Sequence, residues 1–245
     1  MDILYAGVFL FLIKNSNIVI TGTSSGVGYE LAKKFLNNGN KVWGCSRNNS
    51  KITKKNYFHT KIDLSNAQLI KKWVKKLEKN TNKKIDIFIS NASIFNRKLI
   101  TLDNEKSIAQ TINVNLIAPM LIVKEISKSM IQNKKGTIIF FSSIASVINE
   151  AGSSVYASSK SALETFSKTI KKELANFNIK VITFRILYIS TKLSDKLDYK
   201  VISKLKKKFK TNKFGSVEKI FENINKLHIQ KNINIETIFF DKQKN

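Results

Sequence analysis

The sequence predicts an α/β fold, a single-domain doubly wound parallel sheet of about seven strands flanked by helices, and three observations carry that expectation. An apolar run at 17–20 leads into a glycine-rich turn, Thr21-Gly22-Thr23-Ser24-Ser25-Gly26-Val27-Gly28, and then into a helical pattern at Val27, Leu31 and Phe35. Further along, short β-branched and aromatic runs alternate with helical periodicities, as a parallel sheet with crossover helices requires. The length, 245 residues, suits one domain with a well-buried core, and no repeat or low-complexity linker marks a second.

Residues 1–13 form an apolar extension ahead of a domain expected at 14–245. The unbroken apolar stretch 3–13 is shorter than the roughly 20 residues that span a bilayer, so no transmembrane segment is expected. It lacks a basic n-region and a small-residue cleavage site. Three readings fit it: an upstream start codon, a segment packed on the fold or at a dimer contact, or a weak membrane-surface anchor.

The turn at 21–28 comes next, and it holds three of the nine glycines. A backbone can approach a pyrophosphate only where side chains are absent, and the free N–H groups of a helix N-terminus then meet the negative charge. This strand, turn and helix therefore read as a dinucleotide cradle, although G-x-x-x-G-x-G is not the commonest spacing. Residues 41–47 read as the second strand and its end, and 57–62 as a short third strand. Ala67, Leu69, Ile70, Trp73, Val74 and Leu77 recur at helical spacing, with Trp73 in the core. Residues 85–93 give the fourth strand and its mouth, 136–143 a buried strand ending in serines, 180–185 the sixth and 235–241 the last.

Thirteen residues after Ser143 stands Tyr156-Ala157-Ser158-Ser159-Lys160. Y-x-x-x-K occurs at four of the six tyrosines, as Tyr29/Lys33, Tyr57/Lys61, Tyr156/Lys160 and Tyr188/Lys192, and only Tyr156 has a strand-end serine at that distance upstream. On a helix, Lys160 lies one turn from Tyr156 with its ammonium near the phenol. That cation is expected to lower the tyrosine pKa from about 10. Tyr156 then acts as general acid to a carbonyl oxygen, or as general base to an alcohol, while Ser143 holds the same oxygen.

The turn, Ser143, Tyr156 and Lys160 together resemble the short-chain dehydrogenase/reductase family over about residues 17 to 241. The resemblance implies a Rossmann-type domain with the catalytic set Asn115, Ser143, Tyr156 and Lys160. Asn115, supplied by the 112–119 stretch, would bind a water that relays protons to Lys160. It also implies cofactor contacts from Gly22, Thr23, Ser24, Ser25, Gly26, Val27 and Gly28, from Asp63 at the adenine, from Asn91 and Ala92, and from Thr191 at the nicotinamide carboxamide, beside Tyr156 and Lys160. NAD-preferring members carry an acidic residue at the end of the second strand, where this chain has Ser46 and Arg47. Arg47 suits a 2′-phosphate, so NADP(H) is the expected cofactor and NAD(H) the alternative. Three departures stand out: Ser93 for the glycine of Asn-Ala-Gly, Ile186-Leu187 for Pro-Gly, and Lys242-Gln243 for two glycines.

The implied activity is NADPH-dependent reduction of a small-molecule ketone, or the reverse alcohol oxidation, with residues 192–213 covering the substrate. A 3-oxoacyl-(acyl carrier protein) reductase is the nearest sub-reading, with Lys172, expected in the helix after the catalytic one, as a docking cation. A cytoplasmic homodimer or homotetramer goes with it. The alternative is a non-catalytic NAD(P)-binding sensor or scaffold that keeps the fold, for which the three departures speak.

Composition narrows the rest. The formal charge is +26, yet arginine stands only at 47, 97 and 185 and the lysines are spread through every helical segment. Specific nucleic-acid recognition favours arginine, so none is expected, and the Lys, Ile and Asn bias fits an AT-rich genome. The single cysteine, Cys45, excludes an internal disulfide and reads as a small core residue. His59 and His228 have no carboxylate or cysteine cluster at ligand spacing, so no metal is expected.

Overall fold

A computed structural model describes residues 4–5, 8–9, 12–186, 189, 203, 207, 215–229 and 238–239. Two short strands, β1 (Leu4–Tyr5) and β2 (Val8–Phe9), pair antiparallel. Ile13, at the end of the apolar run, is buried in the core. Its N–H donates to Asn225 Oδ1 at 2.7 Å, and its carbonyl accepts from Asn40 Nδ2 at 2.8 Å, so this end of the run packs on the fold.

The main sheet is built from β3 (Asn17–Thr21), β4 (Lys41–Ser46), β5 (Tyr57–Lys61), β6 (Ile87–Ser90), β7 (Gly136–Ser143), β8 (Ile179–Ile186) and β9 (Ile238–Phe239). Its order is β5-β4-β3-β6-β7-β8-β9, with every neighbouring pair parallel. The seven strands match the expected fold class. Parallel strands lie between two helical layers and so read as continuous apolar runs. In β3, Ile18 and Ile20 pack with Leu31 and Phe35 of α1 (Gly26–Asn37) and with Ile220 and Ile224 of the helix Val217–Ile229. Val19 points to the other layer, which holds Trp73 and Val74 of α2 (Ala67–Asn80), where the sequence put them in the core. Lys71, Lys72, Lys75 and Lys76 take the solvent face of α2. Cys45 is buried in β4, and burial pushes its thiol up.

The other layer continues with a helix of 28 residues made of α3 (Glu105–Ile112), a wide turn at Asn113–Ile117 and α4 (Ala118–Gln132). It is long and apolar enough to cross a membrane, yet Val114, Ala118, Ile122, Ile126 and Met130 belong to the core beside the sheet. The wide turn has a chemical cause. Pro119 has no N–H to offer the carbonyl of Asn115 four residues back, and Ala118 N–H instead donates to Asn113 O, five back. A short α5 (Ala145–Ile148) and the long α6 (Ser154–Leu174) follow β7. The helix Val217–Ile229 is α7.

From β3 the chain winds outward through β4 and β5, then returns to lay β6 on the other side of β3. Loops leaving β3 and β6 therefore diverge at their carboxyl ends and open a crevice there. At the corners, Asn15, Asn82, Lys83, Lys134, Asn149 and Asn178 adopt left-handed backbone with φ from 49° to 57°.

Candidate active site

The crevice begins with the glycine-rich turn. Gly22 (φ 78°) and Gly26 (φ 63°) take backbone conformations that side chains resist, and Gly22 N–H donates to Cys45 O at 2.7 Å. A Cβ on Gly28 would lie 2.3 Å from Asn91 Nδ2 and 2.4 Å from Gly22 O, so glycine alone lets α1 start this close to β6. Asn91 in turn fastens the turn, its Nδ2 donating to Thr21 O at 2.8 Å. Thr21 Oγ1 accepts the N–H groups of Asn91 and Ala92 at 3.0 Å each. Ser25 heads α1 with no side-chain cap and no acidic residue follows in the first turn. That leaves the helix N-terminus suited to an anion.

A cavity of about 440 Å³ lies against this turn. Gly22, Ser25 and Gly26 form one wall, Arg47 and Asp63 another, and residues 91–94 a third. Ser24, Val27 and Val114 also line it. Thr23, expected at the cofactor, is buried beneath the turn: its Oγ1 accepts from the Tyr57 phenol at 2.8 Å and its carbonyl from Ser50 Oγ at 2.9 Å. Sequence reasoning missed this prop because Tyr57 stands 34 residues away, and the one pattern it carries, Y-x-x-x-K, pointed elsewhere. At the end of β4, Ser46 gives its only proton to Asn48 O at 2.9 Å. His59 must therefore donate through Nε2–H to Ser46 Oγ, 2.7 Å away, which braces the turn that carries Arg47. Thr191, Leu187, Lys242 and Gln243 lie outside the described residues, as does the 192–213 segment apart from residues 203 and 207.

The cavity fits a dinucleotide: Gly22 and Gly26 line it without side chains, an uncapped helix end faces it, and Arg47 stands exposed at its edge, while Gly28, expected at the cofactor, lies beneath the turn against Asn91.

Next to the third wall, α6 brings Tyr156 and Lys160 to the end of β7. Lys160 is buried, its Nζ donating to Phe141 O at 2.8 Å and lying 5.7 Å from the Tyr156 ring centroid. Burial lowers its pKa to about 8. Ser143 and Ser93 stand near enough to the Tyr156 phenol to favour its ionised form, and Phe95 packs on the same ring at 4.7 Å. The expected fall in the tyrosine pKa is corrected by the structure. Burial pushes the phenol up, and the pulls of Ser143 and Ser93 only oppose it. The Lys160 amine lies over the ring rather than at the oxygen, and desolvation weakens its own charge.

Asn115 is buried at the wide turn, and its side chain ties the 93–94 loop to α6. Oδ1 accepts from Ile94 N–H (2.8 Å) and Ser93 Oγ (3.2 Å), while Nδ2 donates to Ile94 O (2.9 Å) and Ser159 Oγ (3.1 Å). The expected water relay from Asn115 to Lys160 therefore cannot use this amide while those bonds stand. Its backbone carbonyl, denied an α-type donor by Pro119, is the group left for such a role.

A further buried group was missed. Glu164, one turn beyond Lys160, accepts from Ser142 Oγ at 2.6 Å, Ser146 Oγ at 2.7 Å and Arg185 Nε at 2.9 Å, and pairs again with the other guanidinium nitrogen. Burial works against its ionisation, but Arg185 and the two serines outweigh it and hold its pKa below the ordinary carboxylate value. This knot fixes the chain on both sides of Ser143. Its only sequence signal was a carboxylate four residues after Lys160. Lys172 is exposed on α6 itself, not on a following helix, because α6 runs unbroken to Leu174.

A second polar cluster sits at the amino ends of the strands. Thr137 Oγ1 and His228 Nδ1 are 2.9 Å apart, Lys180 Nζ donates to His228 O, and Asp86 takes Asn17 N–H at 2.9 Å and faces Lys135 at 3.4 Å. Burial, with Lys180 and Lys135 adding to it, lowers the His228 pKa to about 4. Among the described residues no three His, Cys, Asp or Glu side chains converge as a metal site would require.

Comparison with known proteins agrees with this geometry. A family profile described as short chain dehydrogenase matches residues 16–201. The 3-oxoacyl-(acyl-carrier-protein) reductase FabG of Buchnera aphidicola subsp. Baizongia pistaciae is 31% identical over 209 residues, 82% of this chain and 85% of that protein. The NADPH-dependent 1-acyldihydroxyacetone phosphate reductase of Saccharomyces cerevisiae is 29% identical over 190 residues, 73% of this chain and 62% of that one. The crystal structure of 3-ketoacyl-(acyl-carrier-protein) reductase from Brucella melitensis complexed with NADH shares the fold, with a TM-score of 0.82 at 18% identity over 93% of this chain and 97% of that one.

Proposed function

The chain belongs to the short-chain dehydrogenase family of oxidoreductases, and we propose that it is an NADPH-dependent carbonyl reductase acting on a 3-oxoacyl group carried on acyl carrier protein. The observation that carries this reading is the meeting of Tyr156, Ser143 and Lys160 beside a cavity that ends in Arg47. Two relatives add to it by name, one for the substrate and one for NADPH.

Gly22, Ser25 and Gly26 would hold the pyrophosphate, Asp63 the adenosine side, and Arg47 the 2′-phosphate. Reduced nicotinamide bound there would supply a hydride. The phenol of Tyr156 would give its proton to the substrate's carbonyl oxygen as the carbon gains that hydride, so that C=O becomes CH–OH. Ser143 donates to the same oxygen and orients it. Lys160, pinned on Phe141 O, holds the ring in place, and the Asn115 carbonyl takes the water that refills the proton. A cytoplasmic homo-oligomer belongs to the same reading.

The test is titration with NADPH and NADH, followed by reduction of an acetoacetyl thioester monitored as loss of NADPH absorbance. Turnover with NADPH bound at least about tenfold tighter is expected, and Arg47→Ala should cost the NADPH affinity about tenfold while sparing NADH. Equal affinities would remove Arg47 from its role. Cofactor binding with no carbonyl reduced would favour the sensor reading instead.

A further inference from the structure

Arg47, on which the choice between NADP(H) and NAD(H) turns, is exposed, and its side chain has no partner among the described residues, so its place is set by its backbone. That backbone is flanked by Ser46 and Asn48, and one hydrogen bond closes over it, Ser46 Oγ donating to Asn48 O at 2.9 Å. His59, on the neighbouring strand β5, sits against that bond with Nε2 2.7 Å from Ser46 Oγ. Ser46, Arg47 and Asn48 all line the cavity, and His59 does not. We propose that His59 is a positioning residue for cofactor choice: by holding Ser46 it sets the Arg47 backbone, and through it the grip on a 2′-phosphate. The proposal rests on Arg47 as the reader of that phosphate.

Proton counting fixes the direction of both bonds. Ser46 has one hydroxyl proton, and Asn48 O only accepts. Were that proton given to His59, Ser46 Oγ would face Asn48 O lone pair to lone pair at 2.9 Å. Both contacts are satisfied when Ser46 donates to Asn48 O and His59 Nε2–H donates to Ser46 Oγ. A hydroxyl that accepts one hydrogen bond is polarised into a stronger donor of the next, so the imidazole tightens the bond that closes over Arg47. Ser46 is buried, which leaves little access for water to take the place of His59. The rest of this segment is held independently, Ile62 N–H donating to Ser46 O at 2.9 Å and Ser50 Oγ to Thr23 O at 2.9 Å. Loss of the imidazole therefore falls on Arg47 and not on the strand pairing or the glycine-rich turn. A ribose without a 2′-phosphate makes no use of Arg47, so NADH is indifferent to His59.

Dissociation constants for NADPH and for NADH, read by nicotinamide fluorescence without turnover, test this in the native chain, His59→Phe, His59→Gln, Arg47→Ala and the double variant His59→Phe/Arg47→Ala. Phenylalanine keeps a ring beside Tyr57, whose centroid lies 6.0 Å from that of His59, and removes the donor. Losing one hydrogen bond should weaken NADPH about fivefold in His59→Phe and leave NADH within about twofold. His59→Gln, whose amide N–H serves as donor in the same place, should restore the native preference. With Arg47 already replaced by alanine, adding His59→Phe should move NADPH affinity by less than about twofold, because the residue it acts through is gone. Equal losses for the two cofactors, or a fivefold loss that persists without Arg47, would make His59 a structural prop and overturn the proposal. So would an NADPH affinity that His59→Phe leaves unmoved in a chain that prefers NADPH. Equal native affinities for the two cofactors would instead overturn the reading of Arg47, and the role of His59 with it.

Discussion

The two ends of the parallel sheet carry similar chemistry and put it to different use. At each, a lysine whose pKa burial lowers is held on a backbone carbonyl near a titratable ring: Lys160 on Phe141 O by Tyr156 at the carboxyl ends, Lys180 on the carbonyl of His228 at the amino ends. The amino-end groups are tied to one another, Thr137 to His228, Lys180 to a helix carbonyl, Asp86 to Lys135 and a strand N–H. At the carboxyl ends the loops from β3 and β6 diverge, and the catalytic groups stand beside a cavity. Buried amines and perturbed pKa values are thus insufficient to mark a site; the topology decides which end faces a ligand.

Three measurements would break or sharpen this contrast. The largest effect belongs to Tyr156→Phe, which should lower carbonyl reduction about 10³-fold with NADPH affinity retained, whereas His228→Gln at the opposite end should leave turnover within about twofold. Similar losses from both would erase the distinction between the ends. Next comes Glu164→Ala, which leaves Arg185 buried beside the serines. Urea unfolding should show about 3–5 kcal/mol lost, and Ser143, braced by that knot, should lose catalytic effect with it. A near-neutral result would mean the knot does not hold the catalytic strand end. The smallest is acid sensitivity at the amino end. Folded His228 stays neutral down to about 4, while the unfolded chain takes up that proton near its ordinary 6.5. Between those values the unfolded state binds more protons, so stability is intact above about 6.5 and falls as pH drops toward 4, by up to about 3 kcal/mol. Unfolding free energies measured across that window should slope in the native chain and flatten in His228→Gln.

What could be read in advance was whatever is encoded by local spacing. The strand ending in Ser143 has the bounds the apolar run indicated, and the glycines at 22, 26 and 28 sit in the turn that needs them. Contacts made only when distant segments meet were not legible. Tyr57 props Thr23, Glu164 gathers Arg185, and Ser93 reaches Asn115 across intervals of 34, 21 and 22 residues, with no periodic pattern to announce them. The pKa of Tyr156 went the other way for a related reason. Sequence places Lys160 four residues off and so gives proximity, but the depth to which the phenol is buried is a property of the packed helix, and depth won. Lys172 was assigned to the wrong helix because nothing in the lysine-rich stretch reveals that α6 continues through it.

The left-handed corners have a consequence for anyone who would harden this protein. Asn15, Lys83, Lys134 and Asn178 lead into β3, β6, β7 and β8, so they lie along the amino edge, while glycine fills such positions at the cradle, as Gly22 and Gly26. A side chain forced into that backbone region costs about 1 kcal/mol, a strain glycine would relieve. The unused thermal headroom of this fold therefore lies on the face away from the chemistry, where an engineer could claim it without the usual trade against turnover.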